Sequence, residues 1–300
     1  MELSWLMKLR IVVSAAVGVF LVGICAWPLA ASPEPFAPLS MHTGAISFWD
    51  GLILAALAFL SGLVAYFPSR PWGREIGILA VPAGLAVWAV RGANMTALLQ
   101  LNPTLAQRQE LFSALKWESF FWLAIVAVGF AGVLAGERIS PSPEPEKTKE
   151  KPKPKSDKYL NAAIALVGSV LIAQFCINVF AQGIEIPDSK LGSVMAQPST
   201  GQIVFALLVS FAIAAFVVKK FLNLGYIWPI ISSALVTAFA VSIYIREPIL
   251  QHLGRNWPVV FFSNSVTAIL PVQMVTFGTL GSIWGYWLAF RYNYWREHEN

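Results

Sequence analysis

Residues 137–158 read ERISPSPEPEKTKEKPKPKSDK, the only charge-dense stretch of the chain. Proline at this density, interleaved with lysine and glutamate, cannot bury a core, so an extended, disordered linker is expected here. What flanks it is different in kind. Long apolar runs fall at about 11–30, 46–67, 76–91 and 117–136 before the linker, and at 160–181, 202–223 and 226–245 after it. Each is near the roughly 20 residues that carry a helix across about 30 Å of hydrocarbon. None alternates with a period of two, so helices are expected rather than strands of a barrel. An eighth stretch, 258–290, is too long for one upright span. Pro271 is expected to divide it into a shallow lead-in (Val259 to Leu270) and a span (Val272 to Phe290), with one long kinked helix as the alternative.

Composition agrees. Over 300 residues, 57% are apolar and 12% charged, half the roughly 25% charge of a soluble domain. A water-facing globule is excluded, as is disorder outside the linker. Two cysteines and three histidines exclude a disulfide scaffold and a zinc site, and no cofactor or metal is expected.

Lys8 and Arg10 precede the first run and Leu29-Ala30-Ala31 follows it in the manner of a signal-peptide cleavage site. The run is longer than a signal h-region of 7–15 residues, so it reads as a retained signal-anchor helix. With the N-terminus in the cytoplasm, fifteen Lys and Arg fall inside and six outside, as the positive-inside rule requires. Trp27, Trp49, Trp117 and Trp257 then mark outer helix ends, and Trp5, Trp72, Trp228 and Trp295 inner ones. The expected setting is a multi-pass protein of the plasma membrane, the inner membrane in a Gram-negative cell, with both termini cytoplasmic. The formal charge of +5 is therefore an orientation signal, and no nucleic-acid partner is expected.

The linker separates four expected spans from four, which prompts a search for a repeat. Gly129, Gly132 and Gly136 in span four recur as Gly278, Gly281 and Gly285 in span eight, 149 residues later. Cys25 and Cys176 lie in the first span of each half, 151 apart. Arg91 and Arg246 close the third spans, 155 apart, and Arg108 and Arg255 follow at a separation of 147. The expected fold is thus an all-α membrane protein of eight helices in two parallel four-helix units: 1–136, the linker 137–158, and 159–300.

Several residues stand out as candidates for function. Glycines at i, i+3 and i+7 share a helix face and let another backbone approach, so the two triads are expected at packing seams. Arg91, Arg108, Arg246 and Arg255 run against the positive-inside bias. Guanidinium groups bind phosphate and carboxylate bidentately, so the four could gather an anionic solute or a lipid headgroup. Equally, each could snorkel to lipid phosphate or pair with Glu110, Glu118 or Glu247. Gln174, Asn178, Gln273 and Asn264 are the best buried polar candidates, with interhelical hydrogen bonding as the ordinary explanation. Cys25 and Cys176 read as small apolar residues, and His42 and His252 as outer-surface groups. Segment 258–270 could be re-entrant or a shallow interfacial helix. In the first half Arg108 to Lys116 takes the corresponding place, and its amphipathic character favours the interfacial version. No catalytic constellation, Walker motif or proton-relay chain is present, so enzymatic activity is not expected.

Two function classes remain. One is a permease or channel-like transporter for an anionic solute or lipid headgroup, with its site between the two repeats. The other is a non-transporting subunit or scaffold that assembles with membrane-protein partners or with copies of itself.

Overall fold

The computed structural model describes residues 4–30, 38–40, 46–141 and 155–298, with side chains at 155–158 and 297–298 excepted. His42 and most of the linker fall outside these residues. Ten helices carry the described fold: α1 (Trp5–Cys25), α2 (Phe48–Tyr66), α3 (Gly73–Arg91), α4 (Met95–Gln100), α5 (Leu105–Ile139), α6 (Lys155–Phe180), α7 (Thr200–Leu222), α8 (Ile227–Tyr244), α9 (Glu247–Asn256) and α10 (Pro271–His298). A single helical turn, Trp27–Ala30, follows α1. Seven of the ten, α1 to α3 and α5 to α8, are long and apolar enough to cross a membrane. The protein is a predominantly helical, multi-pass membrane protein. At 28 residues α10 matches them in length, but Gln273, Thr276, Thr279, Ser282 and three glycines lower its hydropathy. Those polar and small residues are buried inside the bundle.

Local chemistry sets the helix starts. Ser47 and Asp50 form a reciprocal capping box at the head of α2, and Thr104 and Gln107 form another at the head of α5, each satisfying two open N–H groups. No glycine or proline interrupts α5 before Gly129. Residues 108–116, expected as a separate interfacial piece, are therefore the first turns of one 35-residue helix. It spans about 52 Å at 1.5 Å per residue. The linker is also shorter at both ends than expected, because α5 continues through Ile139 and helix resumes at Lys155.

Two backbone-close seams organise the bundle. In the first half α5 packs on α2: a Cβ on Gly132 would overlap the Phe59 carbonyl oxygen, and one on Gly62 the Gly129 carbonyl oxygen. In the second half α10 packs on α7: a Cβ on Gly281 would meet the Leu208 carbonyl oxygen, and one on Gly285 would overlap that of Ala212. Phe59 and Leu208 are themselves 149 residues apart, the separation of Gly132 from Gly281. The halves then meet reciprocally, α8 against α5 and α10 against α3, with α5 and α10 also in contact.

The end of the bundle where α6 finishes and α7 begins carries a cap that a purely helical expectation does not include. Strands β1 (Glu185–Asp188) and β2 (Gly192–Ala196) form a hairpin, and β3 (Phe261–Phe262) pairs antiparallel with β2. Gly192, at φ 79°, supplies the left-handed residue of the hairpin turn. Segment 258–270 is thus neither an interfacial helix nor part of a long kinked one. It enters as β3, makes a 3-10 turn over Ser265–Ala268 capped by Asn264 Oδ1, and leads directly into α10. Its Ser263-Asn264-Ser265 run favours capping over helix continuation.

Candidate functional site

The seam between the halves is the part of the molecule where buried polar groups gather between two apolar closures. On α10, Gln273, Thr276, Leu280 and Ile283 recur at three- and four-residue spacing and so share one face. The upper end of that face is seated on α3 by Gln273, whose amide donates to the Ala89 carbonyl at 3.1 Å while its oxygen accepts from Leu270 N at 3.2 Å. The lower end is seated by Ile283, which packs with Ile78 and Leu79 of α3 and Ile230 of α8. Thr276 lies between the two. It is fully buried and its hydroxyl has no hydrogen-bond partner.

The reciprocal crossing follows the same plan. Ser119 of α5 donates to the Ala234 carbonyl of α8 at 3.3 Å, and Phe130 of the same helix packs against the cluster of Ile78, Leu79, Ile230 and Ile283. Each half's glycine-bearing helix thus donates to a carbonyl on a neighbouring helix of the other half. Ser232, Ser233 and Thr237 of α8 and Thr279 and Ser282 of α10 are also buried, and each bonds a carbonyl three or four residues back on its own helix.

Apolar side chains close this belt at both ends. At the cap end, the rings of Phe112 on α5 and Tyr244 on α8 meet at a tilt, 4.4 Å apart, inside a core that includes Leu111, Leu250, Leu253 and Phe262. At the opposite end, Tyr226 meets Tyr286 edge-on at 5.2 Å beside Ile230 and Ile283.

The expected arginine group is divided. Arg91 stacks on Trp27, its guanidinium carbon 4.4 Å from the ring centroid. Arg108 donates to the Asn102 carbonyl at 3.1 Å and lies beside Gly254 of α9. That brings it to the helix whose N-cap is Arg246 and whose last turn carries Arg255, both exposed. Residues from both halves therefore meet at α9, while Arg91 is engaged within the first half.

Beneath Arg91 runs a ladder of tryptophans. Trp27 meets Trp88 edge-on at 6.1 Å, and Trp88 meets Trp122 at 6.2 Å. The Trp88 indole donates to the Gly23 carbonyl at 3.0 Å. Gly23 lies in the π-helical segment Val19–Cys25, whose i→i−5 bonding replaces the regular i→i−4 ladder. The ladder ends on Glu118, which accepts from the Trp122 indole at 3.0 Å and from the Ser40 hydroxyl at 2.7 Å. Glu118 is 3% exposed: a buried carboxylate rather than a surface neutraliser of arginine. Its spacing from Trp122, one helical turn, was the available signal.

Asp188 at the end of β1 is the other unexpected centre. Its carboxylate accepts from His252 Nε2 at 2.9 Å, from the Trp257 indole at 2.8 Å, and from the Lys190 and Leu191 amides. The His252 bond leads these in holding the Asp188 carboxyl well below the usual carboxylate range. Asn256 donates to His252 Nδ1 and to its backbone carbonyl, so both ring nitrogens are engaged. His252 is consequently a pin between hairpin and α9 rather than an outer-surface group. Sixty-four residues separate it from Asp188, and no local pattern foretells that pairing.

Among the other expected polar candidates, Asn178 is part-buried with an unpartnered Oδ1, Gln174 is half-buried, and Asn264 caps the turn before α10. Cys25 is exposed and Cys176 buried, both free thiols. Among the described residues no group of three His, Cys, Asp or Glu could hold a metal. Comparison of the chain with known protein families, curated proteins and solved structures finds no match.

Proposed function

We propose that the chain is a permease in its closed state. Two parallel four-span units, α1–α5 with spans α1, α2, α3 and α5, and α6–α10 with spans α6, α7, α8 and α10, face each other across a pseudo-twofold axis along the membrane normal, with both termini cytoplasmic. The duplication is supported by the matched seams: Gly132 on Phe59 and Gly281 on Leu208 share one offset, and the contacts between units are reciprocal, as in an isologous dimer. The solute path is the seam, where parallel-repeat transporters place their site.

The observation that carries transport is the Thr276 hydroxyl, fully buried and unpartnered between the two closures. A buried polar group without a partner costs about 1–3 kcal/mol, and a polar solute passing through the seam would supply the missing bond. Arg108, Arg246 and Arg255 around the outer end draw an anionic small solute toward it. The alternative, a non-transporting scaffold, is favoured by Arg91, which is engaged on Trp27 and takes no part in a shared mouth.

Cysteine accessibility separates the two. In a background carrying Cys25→Ala and Cys176→Ala, Thr276→Cys is expected to react with a membrane-impermeant thiosulfonate. Protection by an excess of the transported anion would identify the solute. A fully folded Thr276→Cys variant that stays unlabelled from either side of the membrane would sink the permease and leave the scaffold.

A further inference from the structure

In the second half, the ends of α7 and α10 remote from the cap carry cations laid on aromatic rings. Lys220 Nζ lies 4.7 Å from the Tyr292 centroid, 5.5 Å from that of Phe221 and 5.9 Å from that of Phe216. The Arg291 guanidinium lies 4.9 Å from the Trp295 ring. Lys219 sits over Tyr286 and donates to Asn223 Oδ1 at 2.7 Å. Phe221, Tyr292 and Trp295 are exposed. Among the described residues neither Lys220 nor Arg291 forms an ion pair.

The matched place in the first half treats its cation differently. Arg70, 149 residues before Lys219, donates to Ser140 Oγ at 2.6 Å and to the Pro141 carbonyl at 3.1 Å, and Tyr66 donates to the Ser140 carbonyl. There α5 has ended at Ile139, and the chain just past it, at Ser140 and Pro141, takes the guanidinium. In the second half α10 runs on to His298. Its carbonyls opposite Lys220 are spent within the helix, so the ammonium rests on ring faces and keeps donors to spare.

Above these cations the surface is apolar and open. Ile213 shares a face of α7 with Phe216 and Lys220, and Trp284 and Leu288 share a face of α10 with Arg291 and Trp295, at helical spacing. Ile213, Trp284 and Leu288 are all exposed. The two helices are held at backbone distance by Gly281 and Gly285, so the cleft is fixed before anything enters it. An apolar groove headed by two cations and an aromatic rim has the chemistry of a phospholipid: acyl chains along the groove, phosphodiester at the cations, rings at the headgroup level.

We propose that the cleft between the inner ends of α7 and α10 binds one anionic phospholipid, with its phosphodiester on Lys220 and Arg291. This rests on the chain crossing a membrane, and holds for a permease and a scaffold alike.

The test is native mass spectrometry of the purified full chain in mild detergent, titrated with phosphatidylglycerol or with phosphatidylcholine. Wild type is expected to retain one phosphatidylglycerol about tenfold more strongly than phosphatidylcholine. K220Q/R291Q should retain the two lipids equally, and K220R/R291K should keep the preference. Single K220Q and R291Q variants, each expected to weaken it, cover the case in which the double variant fails to fold. Equal retention of both lipids by wild type would overturn the proposal, as would a preference that survives K220Q/R291Q. Displacement of the bound lipid by excess inorganic phosphate would show a bare anion site and overturn the lipid assignment.

Discussion

Gly132→Ala and Gly281→Ala are each expected to destabilise the protein by about 1–3 kcal/mol, the range for forcing an extra methyl into a packed core. The cause is the same at both positions. The added carbon meets a backbone carbonyl oxygen, Phe59 in one seam and Leu208 in the other. A carbonyl oxygen cannot rotate away as a side chain can, so the two helices must separate. Separation costs dispersion contacts along the whole crossing, because lipid supplies no hydrophobic force to hold helices together. Gly168→Ala in α6 is the matched control. Nothing lies within 4 Å of its Cβ position, so it is expected to be neutral or to stabilise by up to about 1 kcal/mol through lower backbone entropy in the unfolded chain. Reversible unfolding in detergent, read on all three variants, makes the comparison. Loss of less than about 0.5 kcal/mol at both seam positions would show that the helices do not meet at backbone distance.

The second large effect is expected at Glu118. Replacing it with leucine removes the acceptor for both the Trp122 indole and the Ser40 hydroxyl. The Trp122 indole, left buried without an acceptor, costs about 1–3 kcal/mol. Trp122 is fully buried, so water cannot step in. Glu118→Gln keeps an acceptor oxygen in place and is expected to cost less than half as much as Glu118→Leu. Trp122 also touches Trp88 through the ladder, so tryptophan fluorescence should change in Glu118→Leu and not in Glu118→Gln. Equal stability of the two variants would mean that the carboxylate does not hold the ladder.

How far these features were legible in the sequence depends on their reach. The apolar runs announced themselves because span length and hydrocarbon thickness are one constraint, and the glycine triads because i, i+3, i+7 spacing is set by helix geometry alone. The same spacing places Thr276 between Gln273 and Ile283, but an unpartnered hydroxyl shows only once both neighbouring helices are in place. The cap escaped for a different reason. Its strands are two to five residues long, too short to register a period, and Glu185–Asp188 finds its partners on the far side of a turn. Asp188 and His252 join only through that tertiary path. Arg108 to Lys116 misled because an amphipathic stretch reads alike whether it lies in the interface or extends a span; the capping box at Thr104 decides for the latter.

The proposed pair of parallel four-span units requires both termini and the linker on one side of the membrane and the cap on the other. Single cysteines at Glu150, Lys190, Arg255 and His298, in the background free of Cys25 and Cys176, measure this directly with an impermeant maleimide on intact cells. Positions 190 and 255 are expected to label at once, and 150 and 298 only after the membrane is permeabilised. Labelling of 298 together with 190 and 255 on intact cells would mean that α10 does not span, and the paired four-helix architecture would fall with it.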